Sequence, residues 1–338
     1  MERKLATIRK VSNITPILGA DKIECIQVDG WQVVCNKGDF KIGDMGAYFE
    51  VDCFLPIEER FEFLRKNCYK KMVDGGEGHR LRTVRLRKCL SQGLLMPLSQ
   101  FPELQDVVEG QDVTNLLGVK LYEPPIPAQL HGEALGNFPY FIPKTDQERI
   151  QNLPEYFDLY KDVEFEITEK LDGTSCTFYY NEGHFGVCSR NLELKESDSN
   201  VYWKIAGALD LESKLSKVGI YPIAIQGEII GEGIQGNPYK VKGQRFYCYD
   251  IYNIAEQRYF ANWKARKIAN ECEIDYVPRL EVATTILNNS LLFLLDMACF
   301  QSLLNVEVMA EGIVCKAQYI ESRMSFKVIN NEYLLAEK

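Results

Sequence analysis

The chain has 338 residues, 46% of them hydrophobic and 26% charged. That leaves room for two ordinary domains with real cores and excludes a disordered polypeptide. The formal net charge of -9 excludes nucleic-acid binding through a global basic field, so any such binding needs a local patch.

Eleven cysteines without a CxxC pair read as reduced, apolar fillers of an intracellular protein of cytoplasm or nucleus. His79, His131 and His184 are scattered, which argues against a zinc site. MERKLATIRK lacks the apolar core of a signal peptide. The most apolar stretch, LLFLLDMACF at 291–300, is too short to span a bilayer and predicts a buried helix. No membrane contact is expected.

In chain order, residues 1–120 carry short strand-like runs broken by Gly, Asp, Asn and Pro: ATIRKVSNI, KIECIQVDGWQVVCN, MGAYFEVDCFLP, RLRTVRLRKCL and GLLMPL. Asp29-Gly30 is a tight-turn signal between two of them. Some five strands in about a hundred residues predict a small closed β-barrel of the OB type. FEFLRKNCYKKM predicts a helix inserted in it. Within this region RLRTVRLRK (80–88) gathers Arg80, Arg82, Arg85, Arg87 and Lys88, with Lys70 and Lys71 nearby. Read as one strand, it puts Arg80, Arg82 and Lys88 on one face and Arg85 and Arg87 on the other. Such a run is commonly a solvated strand; on a barrel of a net acidic protein it is also the natural patch for a phosphate backbone.

Residues 121–143 are proline-rich and aperiodic, as in a linker. The second domain, 144–338, alternates strands (VEFEIT, SCTFYY, FGVCSR, PIAIQGEII, RFYCYDIY, EGIVCKA, MSFKVI) with helices predicted over Asn200–Lys217, Ala255–Asn270 and about Ala283–Leu304. The first should be capped by Ser199 or Asn200 and stopped at Gly219. This is an α+β pattern with antiparallel sheets.

One lysine stands out. In FEITEKLDGTS, Val163, Phe165 and Ile167 point to one side of a strand, and Glu164, Glu166 and Thr168 to the other. Lys170 follows where the strand hands over to a glycine turn, so its amine can reach a cleft. A free lysine has a pKa of about 10.4, and a nucleophile at neutral pH must lose roughly three units, about 4 kcal/mol. Asp172 alone would favour the ammonium form. If Lys170 is a nucleophile, Asp172 should therefore face a metal ion whose charge outweighs its own. Taken alone, K-x-D-G recurs by chance and Lys170 would read as a solvated surface lysine.

The rest of the domain changes that. EKLDG is followed by CSRN with Arg190, QGEIIG with Glu228, FYCYDIY, EGIVCK with Glu311, and SFKVIN with Lys327. This ordered set resembles the covalent nucleotidyltransferases, polynucleotide ligases and capping enzymes. In detail it resembles ATP-dependent RNA ligases that seal nicks in duplex RNA, in the subgroup with an OB domain in front; PKTDQERIQN (143–152) fits that subgroup. The resemblance covers both domains.

It implies that Lys170 attacks the α-phosphate of ATP, and that Asp172, Glu228 and Glu311 hold a divalent ion directly or through its waters. Hard carboxylate oxygens suit Mg²⁺ or Mn²⁺. Arg190 would contact the ribose or the RNA end, and Lys327 the α-phosphate. Arg149, or less directly Lys144, would orient the leaving pyrophosphate. Glu169 would join the nucleotide site. Of the aromatic strand, Tyr249 is favoured over Phe246 as the ring stacked on adenine. Two positions depart from the family pattern. Ser175 stands where asparagine is common and would touch RNA through a shorter side chain. Ile329 stands where a second lysine is common, leaving Lys316 as the candidate replacement. The resemblance further implies RNA with 3′-hydroxyl and 5′-phosphate ends as partner and a monomeric enzyme. DNA ligases and GTP-dependent capping enzymes share the lysine but usually carry their OB domain after the last motif; here eleven residues follow Lys327. A non-catalytic RNA-binding protein on a decayed fold is the other alternative, against which the intact Lys170, Asp172, Glu228, Glu311 and Lys327 speak. GEGIQG (231–236) matches G-x-G-x-x-G, but Pro238 and Gly243 do not open a long helix, so it reads as a loop passing near the nucleotide.

Overall fold

Asp29 and Gly30 adopt φ of 43° and 75°, the paired left-handed values of a two-residue hairpin turn. They join strands Ile23–Val28 and Trp31–Asn36, which pair in register from Val28 opposite Trp31. Along the second strand Trp31, Val33 and Cys35 are buried while Gln32 and Val34 are half-buried, the period of a strand with one face in a core. The structure is a computed structural model describing residues 3–125, 132–217, 222–318 and 324–336. His131 and the expected stop at Gly219 lie outside the described residues.

The chain divides into two units, Met1–Pro127 with Leu334–Lys338, and Ala128–Tyr333. In the first, that hairpin and Asn13–Pro16 form one antiparallel sheet. Ala6–Lys10, Met45–Phe49 and Leu94–Pro97 form a second, and Lys120–Leu121, Cys53–Leu55, Glu77–Arg80 and Tyr69–Lys71 a third. One core gathers Ile8, Phe49, Phe61 and Phe101, and another Val28, Trp31, Tyr48 and Leu95. The ladders fall into separate small sheets rather than one continuous closed sheet. The expected inserted helix is a 3₁₀ segment, Glu59–Leu64, and a single turn, Arg65–Cys68. Tyr69–Lys71 is instead a strand paired with Glu77–Arg80. The basic run is not one strand. It breaks after Arg80 and resumes as a hairpin, Val84–Leu86 with Cys89–Ser91. Arg87 and Lys88 sit at its tip with φ of 48° and 65°, so the expected two-faced arrangement does not hold.

The second unit is built on two antiparallel sheets. The larger orders Ala134–Asn137, Leu192–Leu194, His184–Cys188, Thr174–Asn181, Ile223–Gly231, Gln244–Asn253 and Arg258–Tyr259. The smaller orders Arg279–Thr284, Phe165–Glu169, Gly312–Ala317 and Ser325–Ile329. Ala134–Asn137, Phe138, Phe141 and Ile142 therefore belong to this unit's sheet and core, although composition reads the whole of 121–143 as linker. The α+β class with antiparallel sheets is as expected.

Three helix expectations need correction. Asn200–Lys217 is two helices, Val201–Ala208 and Leu211–Lys217, broken where Asp210 takes φ of 49°. Asn200, not Ser199, caps the first, accepting the Trp203 N–H at 2.9 Å. The next helix begins only at Asn262, because Arg258–Tyr259 folds back on Tyr252–Asn253. The third shrinks to Leu291–Met297: Arg279–Thr284 is drawn into the sheet beside Phe165–Glu169. That helix is buried only on one side, with Leu294 inside but Leu292 67% exposed.

All five residues of Phe165–Glu169 are buried. Glu166 is therefore not a solvent-facing acid. Its carboxylate takes Nε and a terminal nitrogen of Arg266, both at 3.1 Å, with Arg279 at 3.7 Å. This ion pair lies within the strand that delivers Lys170. Arg266→Ala leaves a buried carboxylate facing Arg279 alone. The expected loss is about 3 kcal/mol of stability, read as a fall in urea midpoint at unchanged slope.

Candidate active site

The strand Phe165–Glu169 ends at the neck of the cavity, and the Lys170 N–H donates to the Gly312 carbonyl at 2.9 Å. Glu311 immediately precedes Gly312 and so enters beside the lysine. The Lys170 Nζ donates to Glu311 Oε2 at 2.5 Å. Two glycines allow this approach. At Gly173 a Cβ would lie 2.3 Å from the Ile229 carbonyl, and at Gly312, with φ of 148°, one would lie 2.1 Å from the Val328 carbonyl. Any side chain there would collide with backbone. The turn after Lys170 therefore lies flat against Ile223–Gly231, the strand that carries Glu228 opposite Ser175.

The result is a cavity of about 460 Å³ between the two sheets, lined by Lys170, Asp172, Ser175, Arg190, Glu228, Tyr249, Glu311, Lys316 and Lys327 among others. Motifs more than a hundred residues apart thus meet around one amine.

Their charges oppose one another. Burial pushes the Lys170 ammonium toward its neutral form, but Glu311, Glu228 and Asp172 together outweigh that, and its pKa ends above the ordinary lysine value. Glu228, deep in the cavity, is pushed up to about 8 by burial; Lys170 counters this, while Glu311 and Asp172 add to it. Glu311 is raised by burial against the pull of Lys170. Lys327 moves oppositely to Lys170: burial and then the charges of Lys170 and Arg149 bring it down to about 8.

Three carboxylates against one close ammonium fit a hard divalent cation, which the raised Glu228 and Glu311 would welcome in place of protons. Among the described residues no three acidic, histidine or cysteine side chains stand close enough to ligate one ion directly. The donor set fits such an ion held directly or through its waters.

Several expected contacts are placed differently. Glu169 lines the cavity, yet its carboxylate is taken by Ser302 Oγ at 2.5 Å and the Leu303 N–H at 2.8 Å, so its side chain is structural. Phe246 is core, packed edge-on against Phe178 at 5.0 Å. Tyr249 faces the cavity with its hydroxyl 3.1 Å from Ser175 Oγ, which in turn meets Thr145 Oγ1 at 3.2 Å. Lys316 donates to Asp250 at 2.9 Å and to the Tyr249 carbonyl. Its charge is already balanced inside the protein, which disfavours it as a substitute phosphate contact. Arg190 reaches the cavity and pairs with Asp146 at 2.6 Å. Lys144 instead donates to Asn191 at 3.2 Å and does not line the cavity. Arg149 stands behind it, its backbone bridged to Lys327.

Sequence reasoning missed other residues. Thr145, Asp146 and Gln235 line the wall. The Tyr239 hydroxyl accepts the Asp172 N–H at 2.7 Å, and the Tyr333 hydroxyl donates to Asp172 Oδ2 at 2.5 Å. Gln235 and Tyr239 belong to the glycine-rich loop and its continuation, so the G-x-G-x-x-G match marks a loop packed on the lysine turn. Tyr333 follows the last motif and carried no signal.

In the first unit Arg82, Arg85, Arg87 and Lys88 are exposed, the last two at the hairpin tip. Arg80 differs: it donates to Asp52 at 2.7 Å and lies 4.6 Å over the Tyr122 ring. Its guanidinium is part of the unit's own packing.

Fold and site together are those of a nucleotidyltransferase, and the comparisons agree. Residues 163–329 match the RNA ligase family model and residues 5–98 an OB-fold domain model. A mutant Naegleria gruberi RNA ligase solved without ligand is 45% identical over 98% of this chain and 97% of its own, with a TM-score of 0.82. A mutant of that ligase with ATP and Mn is 44% identical over 98% of each chain, TM-score 0.82, and the ligase with PPi is 45% identical over 98% of each, TM-score 0.81. No curated protein sequence matches. The chain belongs to the RNA ligase family.

Glu228→Gln tests the charge balance. Between the ordinary carboxylate value, 4.5, and about 8 the folded protein binds a proton that the unfolded chain releases, so wild-type stability falls as pH rises through that window. Without divalent ions the variant should melt a few degrees higher than wild type at pH 8.5 and together with it at pH 4.5. Mn²⁺ should close the gap at pH 8.5 by stabilising wild type; calorimetry reads both arms.

Proposed function

We infer that the protein is an ATP-dependent RNA ligase joining 3′-hydroxyl and 5′-phosphate ends, with nicked duplex RNA as substrate, acting as a monomer inside the cell. The observation that carries the reading is Lys170 held 2.5 Å from Glu311 in a cavity also walled by Asp172, Glu228 and Lys327. ATP fits the reading because mutants of the Naegleria gruberi ligase have been solved with ATP and Mn and with AMP and Mn.

The Lys170 amine attacks the α-phosphorus of ATP, a phosphorus–nitrogen bond forms, and pyrophosphate leaves. Lys327 offers positive charge where the equatorial oxygens gain negative charge. Arg149 backs Lys327, and Arg190 exchanges Asp146 for ribose or RNA oxygens. Tyr249 lies along the adenine. Asp172, Glu228 and Glu311 would hold Mg²⁺ or Mn²⁺ directly or through its waters, and such an ion would cancel their field on Lys170 and withdraw charge from the α-phosphate. The RNA 5′-phosphate oxygen then attacks the same phosphorus and releases Lys170, giving RNA-adenylate. The 3′-hydroxyl attacks the 5′-phosphate and AMP leaves, closing a 3′,5′-phosphodiester.

The protein incubated with α-labelled ATP and Mg²⁺ or Mn²⁺ should acquire a covalent label that survives denaturing gels and alkali but not acid. Lys170→Ala should lower labelling at least ~10³-fold. Labelling from GTP instead would make it a capping-type enzyme. Absence of label with either nucleotide would favour the non-catalytic RNA-binding reading.

The exposed basic hairpin is the proposed grip on the RNA backbone, and Ser175 the contact nearest the reacting ends. The double variant Arg87→Glu/Lys88→Glu should weaken binding to a nicked duplex. If both side chains meet phosphates, the log–log salt slope should fall by about 2. Self-adenylylation should be untouched, since neither residue lines the cavity.

A further inference from the structure

Asp172 is held at both ends by tyrosines outside the motif set. Its N–H goes to Tyr239 and its Oδ2 to Tyr333. Tyr333 is itself fixed from the far side of the site. Fully buried Asn330 accepts the Glu332 and Tyr333 N–H groups at 2.8 and 3.3 Å through Oδ1, and donates through Nδ2 to the Ala310 carbonyl at 3.0 Å. Its own N–H donates to the Glu311 carbonyl at 2.9 Å. Asn330, next after the strand bearing Lys327, thus ties the backbone at Ala310 and Glu311 to the backbone of Tyr333, whose hydroxyl reaches the Asp172 carboxylate. The connection spans the two walls that flank Lys170.

We propose that Tyr333 is a positioning residue for self-adenylylation: its hydroxyl occupies one oxygen of Asp172 and fixes the rotamer in which the other serves the nucleotide side. This rests on the lysyl-adenylate reading above. A carboxylate on a glycine turn has two soft torsions, and its lysine neighbour reacts only when the surrounding oxygens are in register. Tyr333 supplies the constraint without touching substrate.

The test is single-turnover self-adenylylation of Tyr333→Phe, which removes the hydroxyl but keeps the ring. The maximal rate should fall about tenfold while the ATP concentration for half-maximal rate changes less than threefold, at a melting temperature near that of wild type. On an Asp172→Asn background the same change should cost less than twofold, because the two residues act as one unit. A Tyr333→Phe rate within twofold of wild type overturns the proposal. So does a loss that persists in full on the Asp172→Asn background, or one that tracks melting temperature across variants. Wild type that takes no label would sink the function itself; labelled wild type with an indifferent Tyr333→Phe sinks only this inference.

Discussion

The ion pair between Lys170 and Glu311 governs the site, because it sets the resting state against the chemistry. A nucleophilic amine must be neutral, yet every nearby acid favours the ammonium. The size of the conflict is instructive. Bringing a lysine from about 10.4 to about 7 takes close to 5 kcal/mol, and one opposite charge at about 4 Å is worth roughly 4 kcal/mol at the dielectric typical near a protein surface. Lys170 starts above even that ordinary value, so cancelling the carboxylates' field removes what holds the ammonium and leaves burial to favour the free amine. Two of the acids that favour the ammonium, Glu228 and Glu311, are themselves pushed up by burial, and on the proposed mechanism a cation would take the place of their protons. On the proposed mechanism, inactivity at rest and activation on loading would come from one set of side chains.

The fold makes this possible through contact rather than bulk. Lys170 and Glu311 come from neighbouring strands of the smaller sheet, Glu228, Ser175 and Tyr249 from the larger one, and the cavity lies where the sheets face each other. Two glycines are the pinch points: Gly173 sits against one backbone carbonyl and Gly312 against another. Buried supports stand behind the reactive layer. Glu166 pairs with Arg266, while Glu169 with Ser302 and Lys316 with Asp250 each satisfy a charge that the resemblance would assign to the ligand. Their partners sit on distant segments whose identity as partners has no local sequence mark.

That difference explains what was legible. The strands of the second domain and the gathering of Lys170, Asp172, Glu228, Glu311 and Lys327 follow from apolar alternation and from motifs fixed in order, both local signals; Tyr249, picked for its place before Asp250, does face the cavity. The helix lengths did not follow, because Arg258–Tyr259 and Arg279–Thr284 are captured by sheet edges, a tertiary effect that overrides helix periodicity. Arg80 and Arg87 look equivalent in sequence; one is consumed by Asp52 and Tyr122, the other is lifted out by a left-handed turn. Tyr333 was invisible because a lone tyrosine after the last motif carries no spacing rule. Its meaning appears only with Asp172 beside it.

The two lysines of the cavity sharpen the choice of nucleophile. On proton affinity alone Lys327, brought down to about 8, would be the more readily deprotonated amine at neutral pH, and Lys170 the less. The reading rests on geometry instead. Lys327 has been depressed by burial and by like charges, both of which an incoming polyphosphate reverses, so binding substrate returns it to the cationic form suited to stabilising phosphate oxygens. Lys170 has been raised by carboxylates, which a divalent cation neutralises, so the same loading moves it toward the free amine. On the proposed mechanism, loading would drive the two amines in opposite directions, each toward the state its role requires. That divergence would separate a nucleophile from a phosphate clamp in one small cavity.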